Sequence, residues 1–349
     1  MAIDIRTPKE KRYGIVEQAT WGTIMVDTSV LDNGTTNNGV QLDIDPFTIN
    51  PAVNIREGRQ SIGTRRPFSG SRTHDMKRVA PLISLPAFEA KKDELDLFLY
   101  AIMQSVDESD TTPFLKTYTI ADTQPDFSAD AGFFMTFWER FPASSTSRVI
   151  KDVIAKALTL SCEPGGRLML AGELIGRGAM GQNANPTGDW SRADSENTDY
   201  FFWEDITRFT CDFGSGPVDL RPSGAFEFTL AHDALPYGND GTGEFEIFAI
   251  RNWQLGLKMI IGDDLTAVIR NQFESAHKDG TVCTVEIGWG TATPAADGDL
   301  EITCEVQFTD VVPDSADILG IEVTGQIVTD LITDSPITII LVNTVDRTW

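Results

Sequence analysis

Three pairs of similar segments occur in the same order in the two halves of the chain. Leu158 to Glu163 reads LTLSCE, and Leu300 to Glu305 reads LEITCE. Leu168 to Ile175 reads LMLAGELI, and Ile321 to Val328 reads IEVTGQIV, with Gly at the fifth place of both. A repeated pattern of this kind indicates that the chain folds as two copies of one unit.

The third pair lies upstream and joins a strand to a helix. Leu82–Leu85 is followed by Asp93, and Leu255–Leu257 is followed by Asp263. Each Asp is expected to cap the N-terminus of a helix, with apolar positions at helical spacing after it. The expected apolar face consists of Leu95, Phe98, Leu99, Ile102 and Met103 in the first helix, and of Leu265, Val268, Ile269 and Phe273 in the second.

The 349 residues are enough for two domains with cores of their own, and strand patterns dominate both halves. The sequence predicts a mainly β fold (β + α), with two tandem β-sandwich or barrel units and one flanking helix in each. The first unit spans residues 1–178, a linker spans 179–199, and the second unit spans 200–349. A duplicated unit can take the place of two subunits in a symmetric ring.

Several strands have a predictable position. Glu163–Gly166 reads EPGG, a strong turn signal, and should close a hairpin between Val153–Glu163 and Arg167–Gly176. Pro81 and Pro86 favour an edge position for the strand over 79–88, because proline cannot donate to a ladder. Thr281–Gly288 alternates between polar and apolar residues, which predicts a strand.

Pro336–Val345 has no counterpart in the first unit and is predicted to be a terminal arm.

The segment 50–78 is basic and rich in Gly and Ser, and we predict a long arm there. Its seven bases belong to a chain with only 28 Lys and Arg against 52 Asp and Glu. A cationic arm on an acidic protein can dock on a neighbouring copy. The candidate contact residues are Arg56, Arg59, Arg65, Arg66, Arg72, Lys77 and Arg78.

The formal charge of −24 argues against a protein that holds nucleic acid, because phosphate binding depends on Lys and Arg. A protein of this charge could still surround DNA without binding it. The chain has no apolar run long enough to span a membrane and no N-terminal secretory signal, so we expect no membrane association and folding in a cytoplasm.

Residues that could perform chemistry are sparse. The three histidines lie in no nucleophile or metal-binding motif, and no phosphate-binding or dinucleotide-binding loop is present. Cys162, Cys211, Cys283 and Cys304 each lie in a strand pattern and are expected to be buried, reduced thiols. We therefore predict no enzyme activity, no catalytic residues, no metal site and no cofactor.

The order of four blocks resembles the tail tube proteins of long-tailed bacteriophages, in their larger duplicated form. The blocks are Tyr13–Thr23, Phe47–Arg66, Val79–Met103 and Lys156–Arg177. The resemblance implies β-sandwich units whose inner sheets join those of their neighbours, an arm that reaches the next ring, and an acidic lumen for DNA. It further implies a homo-oligomer, in which trimers with pseudo-sixfold symmetry stack into a tube, located in the virion tail and contacting other tail proteins.

Two other functions stay open at this stage. One is a different virion component, such as a tail terminator or a decoration protein, which would not polymerise. The other is a secreted carbohydrate-binding β-sandwich protein, with tryptophans as stacking surfaces. The tryptophans are Trp21, Trp138, Trp190, Trp203, Trp253, Trp289 and Trp349.

Overall fold

The fold comes from a computed structural model, which describes most of the chain. The described residues are 11–25, 39–45, 47–49, 54–58, 73–77, 80–109, 111–140, 146–184, 200–220, 222–238, 245–262, 268–313, 320–328 and 335–344.

Strands form most of the described chain, and two helices lie among them. The elements of the first half are β1 (Arg12–Glu17), β2 (Gly39–Leu42), β3 (Asn54–Gly58), β4 (Thr73–Lys77), β5 (Leu82–Glu89), α1 (Lys92–Met103), β6 (Gln104–Glu108), β7 (Phe114–Ile120), β8 (Met135–Arg140), β9 (Thr146–Cys162) and β10 (Met169–Ala184). Those of the second half are β11 (Ile206–Asp212), β12 (Pro217–Asp219), β13 (Pro222–Tyr237), β14 (Ile247–Gly262), α2 (Val268–Asp279), β15 (Val282–Trp289), β16 (Leu300–Pro313), β17 (Gly320–Ile327) and β18 (Ile337–Asn343). The predicted mainly β class is confirmed.

The two halves use the same order of strand pairing. In the first half the neighbours run β2-β1-β8-β9-β10-β5, and in the second they run β12-β11-β15-β16-β17-β14. A helix follows β5 in the chain, and a helix follows β14. The glycines of the second repeated segment have matching partners, since Gly172 lies opposite Leu85 and Gly325 lies opposite Leu257.

The first repeated pair, in contrast, is not structurally equivalent. Leu158 lies opposite Gly172, whereas the residue opposite Gly325 is Phe308. Leu158 therefore corresponds to Phe308 and not to Leu300. The two similar segments lie eight residues out of structural register. Apolar residues alternate along both strands, and a shift by an even number of residues keeps the same face buried.

The prediction of a terminal arm at Pro336–Val345 is wrong. The C-terminal part of β10 pairs with the N-terminal part of β9, where Ala184 lies opposite Thr146. In the second half β17 ends early, and β18 takes that place on β16, with Leu341 opposite Leu300. The other edge of β18 pairs with β7 of the first half. Strand β18 therefore has a counterpart, which is the C-terminal part of β10. Strand β18 is paired on both edges and lies inside the sheet.

Strand β13 joins the two halves. It pairs along one edge with β14 and along the other edge with β9, where Phe226 to Ala231 lie opposite Cys162 to Ala157. The linker begins later than predicted, because β10 continues to Ala184 and residues 179–184 are strand. The rest of the predicted linker, 185–199, lies outside the described residues.

The helices pack on the apolar face of the sheet. All five expected apolar residues of α1 are buried, which confirms that face. Asp93 is not the cap of α1, because Lys91 precedes the helix in an extended conformation, fixed by a bridge to Tyr200, and Asp93 lies in the first turn. In α2 the predicted Phe273 is buried but Val268 is 53% exposed, and Asp263 to Leu265 lie outside the described residues.

The proline-bearing strand is an edge strand, as expected. Within the described residues β5 pairs with β10 alone. The hairpin at Glu163–Gly166 is also confirmed, since β9 and β10 pair on either side of it. One buried apolar cluster contains residues of both halves, from Tyr13 to Leu341, so that the two halves share a core.

Candidate functional site: the polar face of the sheet

The central part of the sheet face opposite α1 and α2 is polar in both halves, and farther along the strands an apolar cluster that includes Ile154, Ile175 and Phe248 covers this side. Phe273 of α2 contacts Phe308 with ring centroids 4.9 Å apart, so the buried side of β16 is the side that carries the helix. On the other side, directly opposed residues form a row across six strands. From β16 to β10 the row is Gln307, Gln326, Gly256, Thr229, Thr159 and Ala171.

A second row runs parallel to the first. It consists of Thr324, Lys258, Glu227, Ser161 and Met169 on β17, β14, β13, β9 and β10. Small and polar side chains therefore continue without a break over the junction between β13 and β9. This continuity follows from the register, because directly opposed residues of neighbouring strands share a face.

Acids outnumber bases on this polar face, defined as the helix-free side of the strands from β11 across to β10, as far as Lys156 on β9 and Glu173 on β10. Its eight acids are Glu173, Asp212, Glu227, Glu286, Glu301, Glu305, Asp310 and Glu322, and its three bases are Lys156, Arg208 and Lys258. Such a surface has a negative potential that repels phosphate groups.

Each of the three bases contacts a carboxylate. Arg208 Nη1 lies 3.0 Å from Glu286 Oε1, and Arg208 Nη2 lies 2.9 Å from Glu301 Oε2. Lys258 lies 3.0 Å from Glu322, and Lys156 lies 2.7 Å from Glu173. These cross-strand pairs hold the cations against the sheet, so that the bases of this face are engaged before any phosphate approaches.

The predicted basic arm is separate from this face. Strands β3 and β4 form a two-stranded sheet of their own, in which Arg56 lies opposite Asp75 and Lys77 lies opposite Asn54. The other predicted contact residues, Arg59, Arg65, Arg66, Arg72 and Arg78, lie outside the described residues. The arm and the polar face are thus two distinct parts of the molecule.

The part of the chain described here offers little for chemistry. No group of three His, Cys, Asp or Glu side chains in it could hold a metal ion. A cavity of about 330 Å³ lies between the halves, lined by Gln104, Asp122, Arg251, Trp253 and Ser335 among others. It holds one carboxylate and one guanidinium and no nucleophile paired with a base.

The four cysteines are free and buried, as predicted. Burial raises the pKa of the Cys162 thiol to about 12, and nearby Glu204 and Glu163 act in the same direction. Burial also raises the pKa of Cys304. Both groups are thiols at neutral pH and act as small apolar side chains.

Two buried polar clusters escaped the sequence analysis. Lys116 contacts Asp96 at 3.0 Å with both side chains fully buried. Asp152, at φ 52°, accepts from the Gly22 amide at 2.7 Å and lies 3.2 Å from Arg177. The sequence carries no local signal for either cluster, because the partners come from distant segments. The polar face itself could have been found from the alternating Glu301, Thr303, Glu305 and Gln307.

No protein-family model matches the chain, and no curated protein sequence matches it. Neither helix among the described residues is long and apolar enough to cross a membrane.

Proposed function

We propose that the chain is a structural protein of a long-tailed phage virion, which assembles into rings that stack into the tail tube. The continuous polar face across the β13–β9 junction carries the proposal. Inside one chain, two halves with the same strand order already share a sheet whose helix-free side is acidic. A ring built by repeating that junction would turn this side toward a common channel.

The two halves act as tandem units of one fold in this proposal. The support is the matching pairing order, with a helix after β5 and after β14, and the matching partners of Gly172 and Gly325. Three chains would then supply six similar units, which gives a trimer with pseudo-sixfold symmetry. The protein would have no catalytic activity and would act as a homo-oligomer.

The polar face would line the lumen and let DNA pass without holding it. Excess carboxylates repel the phosphate backbone, and the bases of the face are engaged in ion pairs. Small residues such as Gly256, Thr229 and Thr159 keep the surface smooth. The arm formed by β3 and β4 lies outside the main sheet and is suited to reach the next ring.

Electron microscopy of the purified protein tests the proposal. We expect rings with six similar lobes and a central channel, and stacked tubes at high concentration. Rings that never stack would favour a tail terminator, and a persistent monomer under all conditions would count against any ring-forming role.

The carbohydrate-binding alternative gains no support from Trp21, Trp138 or Trp289. Trp138 and Trp289 are buried, with 0% and 1% exposure, and cannot stack on a sugar. Trp21 stacks on Phe127 with centroids 5.2 Å apart. Trp190 and Trp349 lie outside the described residues.

A further inference from the structure

Lys116 is a fully buried lysine that contacts two carboxylates and lies beside a carboxamide. Its Nζ lies 3.0 Å from Asp96 Oδ2 and 3.8 Å from Glu108 Oε1, and its side chain is 0% exposed. Asn343 is also buried, and its Nδ2 donates to the same Asp96 Oδ2 at 3.4 Å. One carboxylate oxygen therefore contacts both an amine and an amide in a part of the core that solvent does not reach.

Three elements from both halves of the chain hold these groups in place. Strands β7 and β18 are antiparallel neighbours, and Asn343 lies opposite Phe114, two residues before Lys116. The side chains of Lys116 and Asn343 therefore share one face of the sheet as diagonal neighbours. Asp96 reaches them from α1, and its Oδ1 accepts from the Leu97 amide at 2.7 Å, which leaves Oδ2 for the amine and the amide.

The surroundings of Lys116 favour reaction as well as ion pairing. A lysine is almost never fully buried without a partner, because the interior penalises its charge. When the proton moves from Nζ to Asp96 Oδ2, both charges disappear and a neutral amine remains, which is a nucleophile. The carboxamide of Asn343 is the group open to attack, because an ionised carboxylate resists the electron pair of an amine. The cluster thus contains a nucleophile, an electrophile and a proton carrier.

We propose that Lys116 and Asn343 join through an intramolecular isopeptide bond. Nζ attacks Cγ of Asn343, so that the Nζ–Cγ bond forms and the Cγ–Nδ2 bond breaks. Nζ gives up two protons, Asp96 carries them to Nδ2, and the released nitrogen leaves as ammonium. Atoms and charges balance without an oxidant or a reductant. Asp96 suits this role because the same oxygen contacts both reacting nitrogens.

The position of the cluster favours the bond over the separate side chains. Groups held in a fixed orientation react as if at concentrations of about 10⁵ M or more, which compensates for the low reactivity of amides. Burial keeps water from competing with the amine. Glu108 lies directly opposite Lys116 on β6, and its side chain is 13% exposed, so it offers the departing ammonium a carboxylate nearer to solvent.

The bond would connect β7 in the first half covalently to β18 in the second half. Closing so long a loop restricts the unfolded chain, as a disulfide does. The reaction occurs once in each chain and uses no outside substrate. It is independent of the proposed function, because it needs only the fold of a single chain.

Intact-mass spectrometry and peptide mapping of the denatured full-length protein test this bond. We expect each chain to be lighter than its sequence by about 17 Da, the mass of ammonia, with the peptides of Lys116 and Asn343 recovered as one branched species. A loss of about 18 Da at Lys116, the mass of water, would assign the bond to a carboxylate and contradict the choice of Asn343. Separate, unmodified peptides from folded protein would refute the proposal.

Two variants identify the reacting groups. Lys116→Arg keeps a cation beside Asp96 but has no primary amine, and Asn343→Leu removes the carboxamide at similar volume. Both should retain their full sequence mass. The matched control is Lys156→Arg, which changes the partly exposed ion pair with Glu173 and should still lose about 17 Da.

A loss of ammonia that persists in Lys116→Arg would place the reaction at another residue and overturn the proposal. If either variant fails to fold, the peptide map of the wild-type chain decides alone, because it shows directly whether Lys116 and Asn343 are joined.

Discussion

Lys116 and Asp96 form an ion pair with 3.0 Å between Nζ and Oδ2, and neither side chain is exposed to solvent. Asn343 Nδ2 lies 3.4 Å from the same Oδ2, and Glu108 lies 3.8 Å from the Lys116 ammonium. Asp96 belongs to α1, Lys116 to β7 and Asn343 to β18. The cluster therefore fixes the second half of the chain to the first through charge and hydrogen bonding.

We expect Lys116→Met to lower the free energy of unfolding by about 3–5 kcal/mol, because it leaves a buried carboxylate without its cation. Denaturant titration measures this change. The matched control is Arg270→Met, which removes the half-exposed ion pair between Arg270 Nε and Glu274 Oε1, 2.8 Å apart within α2. This variant should lower the free energy of unfolding by less than about 0.5 kcal/mol. Equal losses in the two variants would show that the buried pair has no special role.

A second prediction concerns His232, which lies where the β13–β9 pairing ends. The residue is 3% exposed, and its ring meets the Trp253 ring edge-to-face with centroids 4.7 Å apart. Burial lowers its pKa to about 4, despite the nearby Asp233. In the unfolded chain its pKa is about 6.5, so the unfolded state binds more protons between the two values. His232 therefore lowers the free energy of unfolding as the pH falls below about 6.5, by about 2 kcal/mol at about pH 5.

Unfolding in urea at neutral and at mildly acidic pH tests the role of His232. His232→Leu should remove the acid-induced loss, and His277→Gln should retain it. Asp152 has a raised pKa because it is buried, and it acts in the opposite direction, but it is present in all three proteins. An unchanged pH dependence in His232→Leu would contradict the assignment.

Local patterns predicted much of the fold. The alternation over Thr281–Gly288 is confirmed, since Cys283, Val285 and Ile287 are buried on β15. The turn at Glu163–Gly166 and the edge position of β5 follow from the chemistry of Pro and Gly. Each of these features depends on residues close together in the chain, which sequence patterns describe well.

Long-range relationships were missed or misplaced for a physical reason. The Asp96 contacts reach residues 20 and 247 positions away, and nothing near Asp96 indicates them. The pairing of Leu158 with Leu300 failed because alternating strands tolerate an even shift. Strand β18 pairs with β7 and with the part of β16 that β17 leaves open, and no local sequence pattern indicates either neighbour. The basic arm stays a prediction, because most of the segment 50–78 lies outside the described residues.

The arm provides a third prediction. Arg56→Glu/Lys77→Glu changes one residue on each strand of the β3–β4 hairpin, which is separate from the main sheet. Under the proposed function this variant should form rings but no stacked tubes, because the arm would meet an acidic neighbour with the wrong charge. Sedimentation velocity and microscopy distinguish the two products. Arg270→Glu/Lys278→Glu makes the same charge change on α2 and should still stack; tubes formed equally by both variants would remove the arm from ring stacking.

The acidic polar face provides the last prediction. Glu227→Lys/Glu305→Lys adds two cations per chain to the proposed lumen, and we expect assembled rings to acquire affinity for double-stranded DNA. The logarithm of the binding constant should fall with the logarithm of salt concentration, with a slope of about −0.9 for each phosphate contacted. Fluorescence anisotropy with a short labelled duplex measures both quantities. Glu227→Gln/Glu305→Gln is the matched control, because it removes the same carboxylates without adding cations, and it should bind little. Strong, salt-sensitive binding by the unmodified rings would contradict a surface that repels phosphates, and the lumen would then have to be sought on another face of the sheet.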